Sequence, residues 1–231
     1  MIMEFTAEKQ IFEQFARAKK ILVVLPENLT ADALSSGLAL QLFLKKLEKE
    51  VEVISSGQIR EEYKFLHNAG VIKNRIENYK SLVVEVDTAS KKLDELSYQV
   101  LAQKVQIFLK SQGEPFTSSD ISFKEEKFPV DLVVILDCQS LEDIGKPFEE
   151  QADLFYETPK INISNKAANE YFGAINLVDI TATSVAEILA SLFEKYEQQL
   201  VDEHIATCLL TGIITKTNSF QHVQTTPQAF L

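Results

Sequence analysis

Asp131-Leu132-Val133-Val134-Ile135-Leu136-Asp137 is an unbroken apolar run with a carboxylate at each end. A run this short, without apolar–polar alternation, predicts a β-strand buried on both faces. Ile21 to Leu25 repeats the pattern, and Lys160 to Ile163 gives a shorter version. Between such runs the spacing changes to that of helices. Residues 4–18 place Phe5, Ile11, Phe12 and Phe15 on one helical stripe, ended by Lys19 and Lys20. Ala33 to Leu47 carries Leu34, Leu38, Leu42 and Leu44 and leads to a strand at Val51 to Ile54. Strand, helix and strand in that order predict a parallel pair.

Further along, the stretch EEYKFLHNAG reads as a short helix ending at Gly70, and Leu82 to Val86 as a strand. Leu96–Leu101 and Val105–Leu109 flank the turn LAQK and predict a β-hairpin, an insertion at about residues 95–110. Residues 111–129 are rich in loop formers. Thr181–Tyr196 and Asp202–Ile214 predict two late helices. The expected fold is α/β: one domain over residues 1–231, with a mostly parallel sheet flanked by helices and a hairpin insertion.

Composition narrows the function. The 231 residues are 45% hydrophobic and 25% charged, which excludes a disordered tail and a fibre. A net charge of −11 opposes non-specific contact with a phosphate backbone, while a small nucleotide held by local cations stays compatible. Cys138 and Cys208 sit in apolar runs and read as buried thiols of a reducing compartment. The first residues hold no signal-peptide core, and no apolar run approaches the ~20 residues of a membrane helix. The expected location is the cytoplasm.

In parallel sheets, sites form where loops leave the carboxyl ends of strands. That directs attention to the loop after Leu25, to Asp137 and to the loop after Ile163. By itself Asp137 can face a site or cap the next turn. Asp32, ahead of Ala33-Leu34-Ser35-Ser36, reads as an N-cap or first-turn residue.

Taken together, these segments resemble the DHH phosphoesterases, RecJ-like and oligoribonuclease-like enzymes that use two Mn²⁺ ions to hydrolyse phosphodiesters. The resemblance covers roughly residues 15–230. The family's first motif, His-x-x-Pro-Asp-x-Asp-Ala-x-x-Ser after a strand, stands here as Pro26-Glu27-Asn28-Leu29-Thr30-Ala31-Asp32-Ala33-Leu34-Ser35-Ser36. Asp137 matches the strand-end Asp. Asn-Ile-Asp-His-His followed by Asn stands as Asn162-Ile163-Ser164-Asn165-Lys166, with Asn169 beyond. The text that follows, EYFGAINLVDITATSVAEIL, is close to the family's own. The last motif, Thr-Gly-Ile and then Asp-Thr-Gly-x-Phe, stands as Thr211-Gly212-Ile213 and Lys216-Thr217-Asn218-Ser219-Phe220.

The departures fall on the metal ligands. Pro26 replaces a ligand His, and Thr30 a ligand Asp. Ser164, Asn165 and Lys166 replace the name-giving Asp-His-His. Lys216 stands where many members carry the last ligand Asp, although some branches already carry Lys there. Asp32 and Asp137 are the residual metal-ligand positions. Two Mn²⁺ ions need several oxygen and imidazole donors and balancing negative charge, which two carboxylates do not supply. Two-metal hydrolysis needs both ions. Lys166 and Lys216 arrive where ligands are lost, so an ammonium group pairing with Asp137 or Asp32 is one expectation and a solvent-facing lysine the other.

His67, His204 and His222 match no ligand position and read as surface or structural residues. Asn169 remains available for a phosphate contact. Thr183, Ser184 and Glu187 read as ordinary helix-capping residues. Family members continue into a linker helix and a second domain that binds the terminal phosphate of the substrate. This chain stops at Leu231, where that linker would begin, so it would lack that clamp.

The resemblance implies a catalytically degenerate DHH-type domain, a binding or interaction module or a nucleotide-binding remnant, with no cofactor. Its expected partners are another protein, a second copy or a small nucleotide, and not a membrane. The alternative is an active Mn²⁺-dependent phosphoesterase acting on nucleotides or short oligonucleotides through Asp32 and Asp137.

Overall fold

The computed structural model describes residues 6–76, 81–126, 130–222 and 225–230. The chain forms two compact units, residues 1–78 with 130–231, and residues 79–129.

The first unit is built on a five-stranded parallel sheet in the order β2-β1-β7-β8-β9. Its strands are β1 (Lys20–Val24), β2 (Glu50–Ile54), β7 (Leu132–Leu136), β8 (Lys160–Ser164) and β9 (Ile175–Val178). Every residue of β7 is buried, as its continuous apolar run requires. The Asp131 carboxylate accepts hydrogen bonds from the Lys19 and Lys20 N–H groups, both at 2.9 Å, and so fixes the entry of β1 beside β7.

The main helices are α1 (Ala7–Arg17), α2 (Ala31–Lys46), α5 (Val185–Glu197) and α6 (Glu203–Lys216), with the short α3 (Lys146–Glu150) and α4 (Ala152–Glu157) after β7. The α2 helix is buried along nearly its whole length and packs against α5 and α6. Its Phe43 ring stacks on Phe193 of α5 at 4.0 Å, and Phe12 of α1 stacks on Tyr196 of α5 at 4.3 Å. Among the described residues, no helix is long and apolar enough to cross a membrane.

The second unit contains two antiparallel ribbons. β3 (Ser81–Val86) pairs with β6 (Ile121–Glu126), and β4 (Leu93–Leu101) pairs with β5 (Lys104–Ser111). The predicted hairpin and its turn are present, within an insertion wider than residues 95–110. Three expectations need correcting here. Leu82–Val86 is a strand as expected, but its partner, Ile121–Glu126, lies within 111–129, a stretch expected to be loop-rich. The helix expected up to Gly70 is two 3₁₀ turns, Glu61–Tyr63 and Ala69–Val71, with Asn68 in the left-handed region at φ 67°. Only Leu66 and Ala69 are buried there, too little to hold an α-helical face. The helix expected from Thr181 begins at Val185, because Asp179 ties Thr181 and Ala182 into a turn first.

Candidate functional site

The motif residues converge at the carboxyl ends of β1, β7 and β8. Asp137 follows β7 in the left-handed region at φ 56°, a conformation Asp tolerates better than most residues. Its side chain is fully buried. Thr30 sits opposite. As N-cap of α2 its Oγ1 accepts from the Ala33 N–H at 3.0 Å, and its hydroxyl donates to Asp137 Oδ2 at 3.1 Å. One threonine thus both starts a helix and holds a carboxylate.

The other oxygen, Asp137 Oδ1, accepts no hydrogen bond. It is compensated by charge instead. The Lys166 ammonium lies 3.4 Å from it and donates its short hydrogen bond to the Asp137 backbone carbonyl. Lys166 is half-buried just past β8 and is anchored at its own N–H by Ser164 Oγ at 3.2 Å.

Asp32 is almost wholly buried in the first turn of α2, and its carboxylate is spent on another helix. Oδ2 accepts from the Val185 N–H at 2.9 Å, and Oδ1 from the Ala186 N–H at 3.0 Å and the Ser36 hydroxyl at 3.2 Å. These are the first two residues of α5, where free N–H groups and the helix dipole favour an anion. Burial nevertheless dominates and, with the nearby Asp137 charge, pushes the Asp32 carboxyl up to about 6. The two N–H donors and the Lys216 charge act in the opposite sense.

Gly212 of α6 makes this arrangement possible. A Cβ there would lie 2.7 Å from both Ala186 Cβ and Ser35 Oγ, and 3.0 Å from Asp32 Oδ1. Ser184 is the N-cap of α5, accepting from the Glu187 N–H at 3.0 Å, while Glu187 reaches back to the Thr183 N–H at 2.8 Å. Thr226 donates to Glu187 at 2.7 Å and fastens the last segment to the same helix start.

The other singled-out positions hold backbone. Asn165 donates to the Ala182 and Thr183 carbonyls at 3.1 and 3.0 Å. The Pro26 carbonyl accepts from Ser55 Oγ at 3.0 Å. Asn169 is buried, with its amide protons on the Cys138 carbonyl and Asn162 and its oxygen accepting from Asn162 and Tyr171. Lys216 lies exposed at the end of α6, without an ion pair to either motif carboxylate.

Asp32 and Thr30 border an open cleft of about 510 Å³ whose other walls carry Arg60, Tyr63 and Lys216. Arg60 lies 5.0 Å from the centre of the Tyr63 ring. Sequence reasoning missed Arg60 and Tyr63, which belong to no motif and come from the misread helix region. Away from the site, His67 and His204 stack at 4.4 Å, and Cys138 and Cys208 are buried free thiols. Burial raises both thiols, Cys208 to about 12.

Among the described residues, no group of three or more His, Cys, Asp or Glu side chains is placed to hold a metal ion. Among the described residues a dinuclear Mn²⁺ centre does not fit this donor set: one carboxylate accepts from the first two N–H groups of a helix, and the other faces an ammonium.

No family model matches the chain. A stretch of 68 residues, 29% of this chain and 21% of the other, is 35% identical to the bifunctional oligoribonuclease and PAP phosphatase NrnA of Thermus thermophilus. An exopolyphosphatase-related protein from Bacteroides fragilis superposes with a TM-score of 0.68 at 18% identity, over 97% of this chain and 54% of that one. The chain therefore spans about half the length of that neighbour and matches about a fifth of the curated relative. The superposition shows that this chain shares the fold of that neighbour.

Proposed function

We propose that this chain is a DHH-type phosphoesterase-like domain in which the protein's own groups stand in for the dinuclear metal centre. It does not hydrolyse phosphoesters, and it works as a binding or interaction module. The observation that carries this reading is the Lys166 ammonium 3.4 Å from Asp137 Oδ1, a cation supplied by the chain where the family supplies a metal. The two N–H groups of α5 on Asp32 support it, since they leave that carboxylate little capacity for an ion. Arg60 and Lys216 beside the cleft give a small anionic nucleotide a place to dock. The reading includes a reducing, cytoplasmic location, supported by two buried thiols that remain unpaired.

One observation favours a second reading, hydrolysis through a reduced metal site. Asp137 Oδ1 is buried without a hydrogen bond, a free lone pair for an ion should Lys166 withdraw. Hydrolysis of bis(p-nitrophenyl) phosphate and of a dinucleotide with added Mn²⁺ separates the two. The first reading predicts no turnover above that of Asp137→Ala. Mn²⁺-dependent turnover that this substitution abolishes would establish the second.

A further inference from the structure

The β4–β5 ribbon is amphipathic. Three cross-strand pairs, Leu96–Leu109, Tyr98–Ile107 and Val100–Val105, project to one face, because directly opposed residues share a side of the sheet. Tyr98 is 71% exposed, Val100 68%, Val105 60%, Leu96 58% and Ile107 52%. The opposite face is mostly polar: it carries the Glu95–Lys110 ion pair at 2.6 Å with Ser97, Gln99, Gln106 and Lys104, and its apolar residues, Phe108 and Leu101, are less exposed, at 45% and 37%. Among the described residues no third strand pairs with either edge of the ribbon. A two-stranded ribbon with an uncovered apolar face is marginal alone and gains its stability from something packed upon it. The β3–β6 ribbon exposes Leu82, Val84 and Phe123 in the same way.

Charge selects the occupant. Residues 79–129 hold seven lysines and eight acidic residues, so this unit carries one of the chain's eleven net negative charges. Two copies meeting through the rest of the surface would oppose like charge, whereas the ribbon face is neutral. Area agrees. The six side chains present on the order of 500 Å² of apolar surface, comparable with the apolar share of a stable interface, roughly 60% of each partner's buried area. A stable dimer buries about 800 Å² per partner. The ribbon face alone is as large as the largest apolar patch of an ordinary monomer, about 300–600 Å².

We infer that the apolar face of the β4–β5 ribbon is a self-association surface, on which a second copy of this chain packs the same face about a twofold axis. Matched apolar pairs along the ribbon suit such an isologous contact, since each residue meets an apolar counterpart. The inference is independent of the metal-site reading and survives if that reading fails.

Sedimentation equilibrium of the full chain at micromolar concentrations tests it. The wild type is expected at twice the 26.1 kDa of one chain. Ile107→Lys and Tyr98→Lys each place a charge in the contact and weaken association at least about tenfold. Gln99→Lys, on the opposite face, leaves the dimer intact. Circular dichroism melts establish that each variant folds, and if one does not, the other is read in its place. A monomeric wild type overturns the inference, including one that instead sediments with phosphatidylcholine vesicles. So does a dimer that survives both apolar-face substitutions.

Discussion

Lys166 changes what the buried Asp137 carboxylate is for. Without it, Asp137 would be a buried charge held by a single hydroxyl, a costly arrangement. Lys166→Met is therefore expected to destabilise the fold by about 1–3 kcal/mol, less than for a fully buried pair because the ammonium is partly solvated. Adding Asp137→Asn should recover part of that loss, so the double variant loses less than the two single losses combined; urea midpoints of the four proteins measure the coupling. Asp32 yields a pH prediction. Its folded carboxyl titrates at about 6, above its ordinary 3.8, so the folded chain binds that proton more tightly than the unfolded chain does. Its ionisation then costs stability: the contribution is most favourable below about pH 4, falls as pH rises to about 6, and is flat above. Relative to Asp32→Asn, which cannot titrate, the wild type should lose on the order of 3 kcal/mol across that window in urea melts at stepped pH. At this scale the strand ends pointed to Asp137 and the loops beside it, and the family resemblance added Asp32, Thr30 and Lys166. It could not reveal that Asp32 caps α5, because backbone N–H groups 153 residues away carry no sequence signal.

The α2, α5 and α6 helices meet where Gly212 permits it. Gly212→Ala gains helix propensity of about 1 kcal/mol, but its Cβ would overlap Ala186 and Ser35, small groups with little freedom to move aside. The expected net result is a loss of roughly 1–2 kcal/mol and a lower melting temperature, measurable by calorimetry. The Thr211-Gly212-Ile213 stretch thus has a packing role of its own. The strands β1 and β7 were legible because a strand buried on both faces writes itself as an uninterrupted apolar run. β9 was not, since Ile175–Val178 is short, sits at the sheet edge and includes Asn176, which holds the Gly173 turn. β3 read as a strand, but its partner β6 mixes Ser, Lys and Glu with Ile and Phe. Strand character is local, whereas pairing is decided by the rest of the chain.

For the whole molecule, the fold by itself does not carry the function. The sheet order, the loops at its carboxyl ends and the helix starts around Asp32 reproduce a phosphoesterase-like frame, while hydrogen bonds and an ion pair fill its centre. The frame remains because its residues also perform structural work: Thr30 caps α2, Asn165 holds the loop before α5, and Asn169 holds the β7–β8 loops. The most direct test of the central claim is a calorimetric Mn²⁺ titration of the wild-type protein beside Asp137→Ala. The account predicts no binding, or weak binding that the substitution leaves unchanged. Tight binding that Asp137→Ala abolishes would contradict it and restore the metal site.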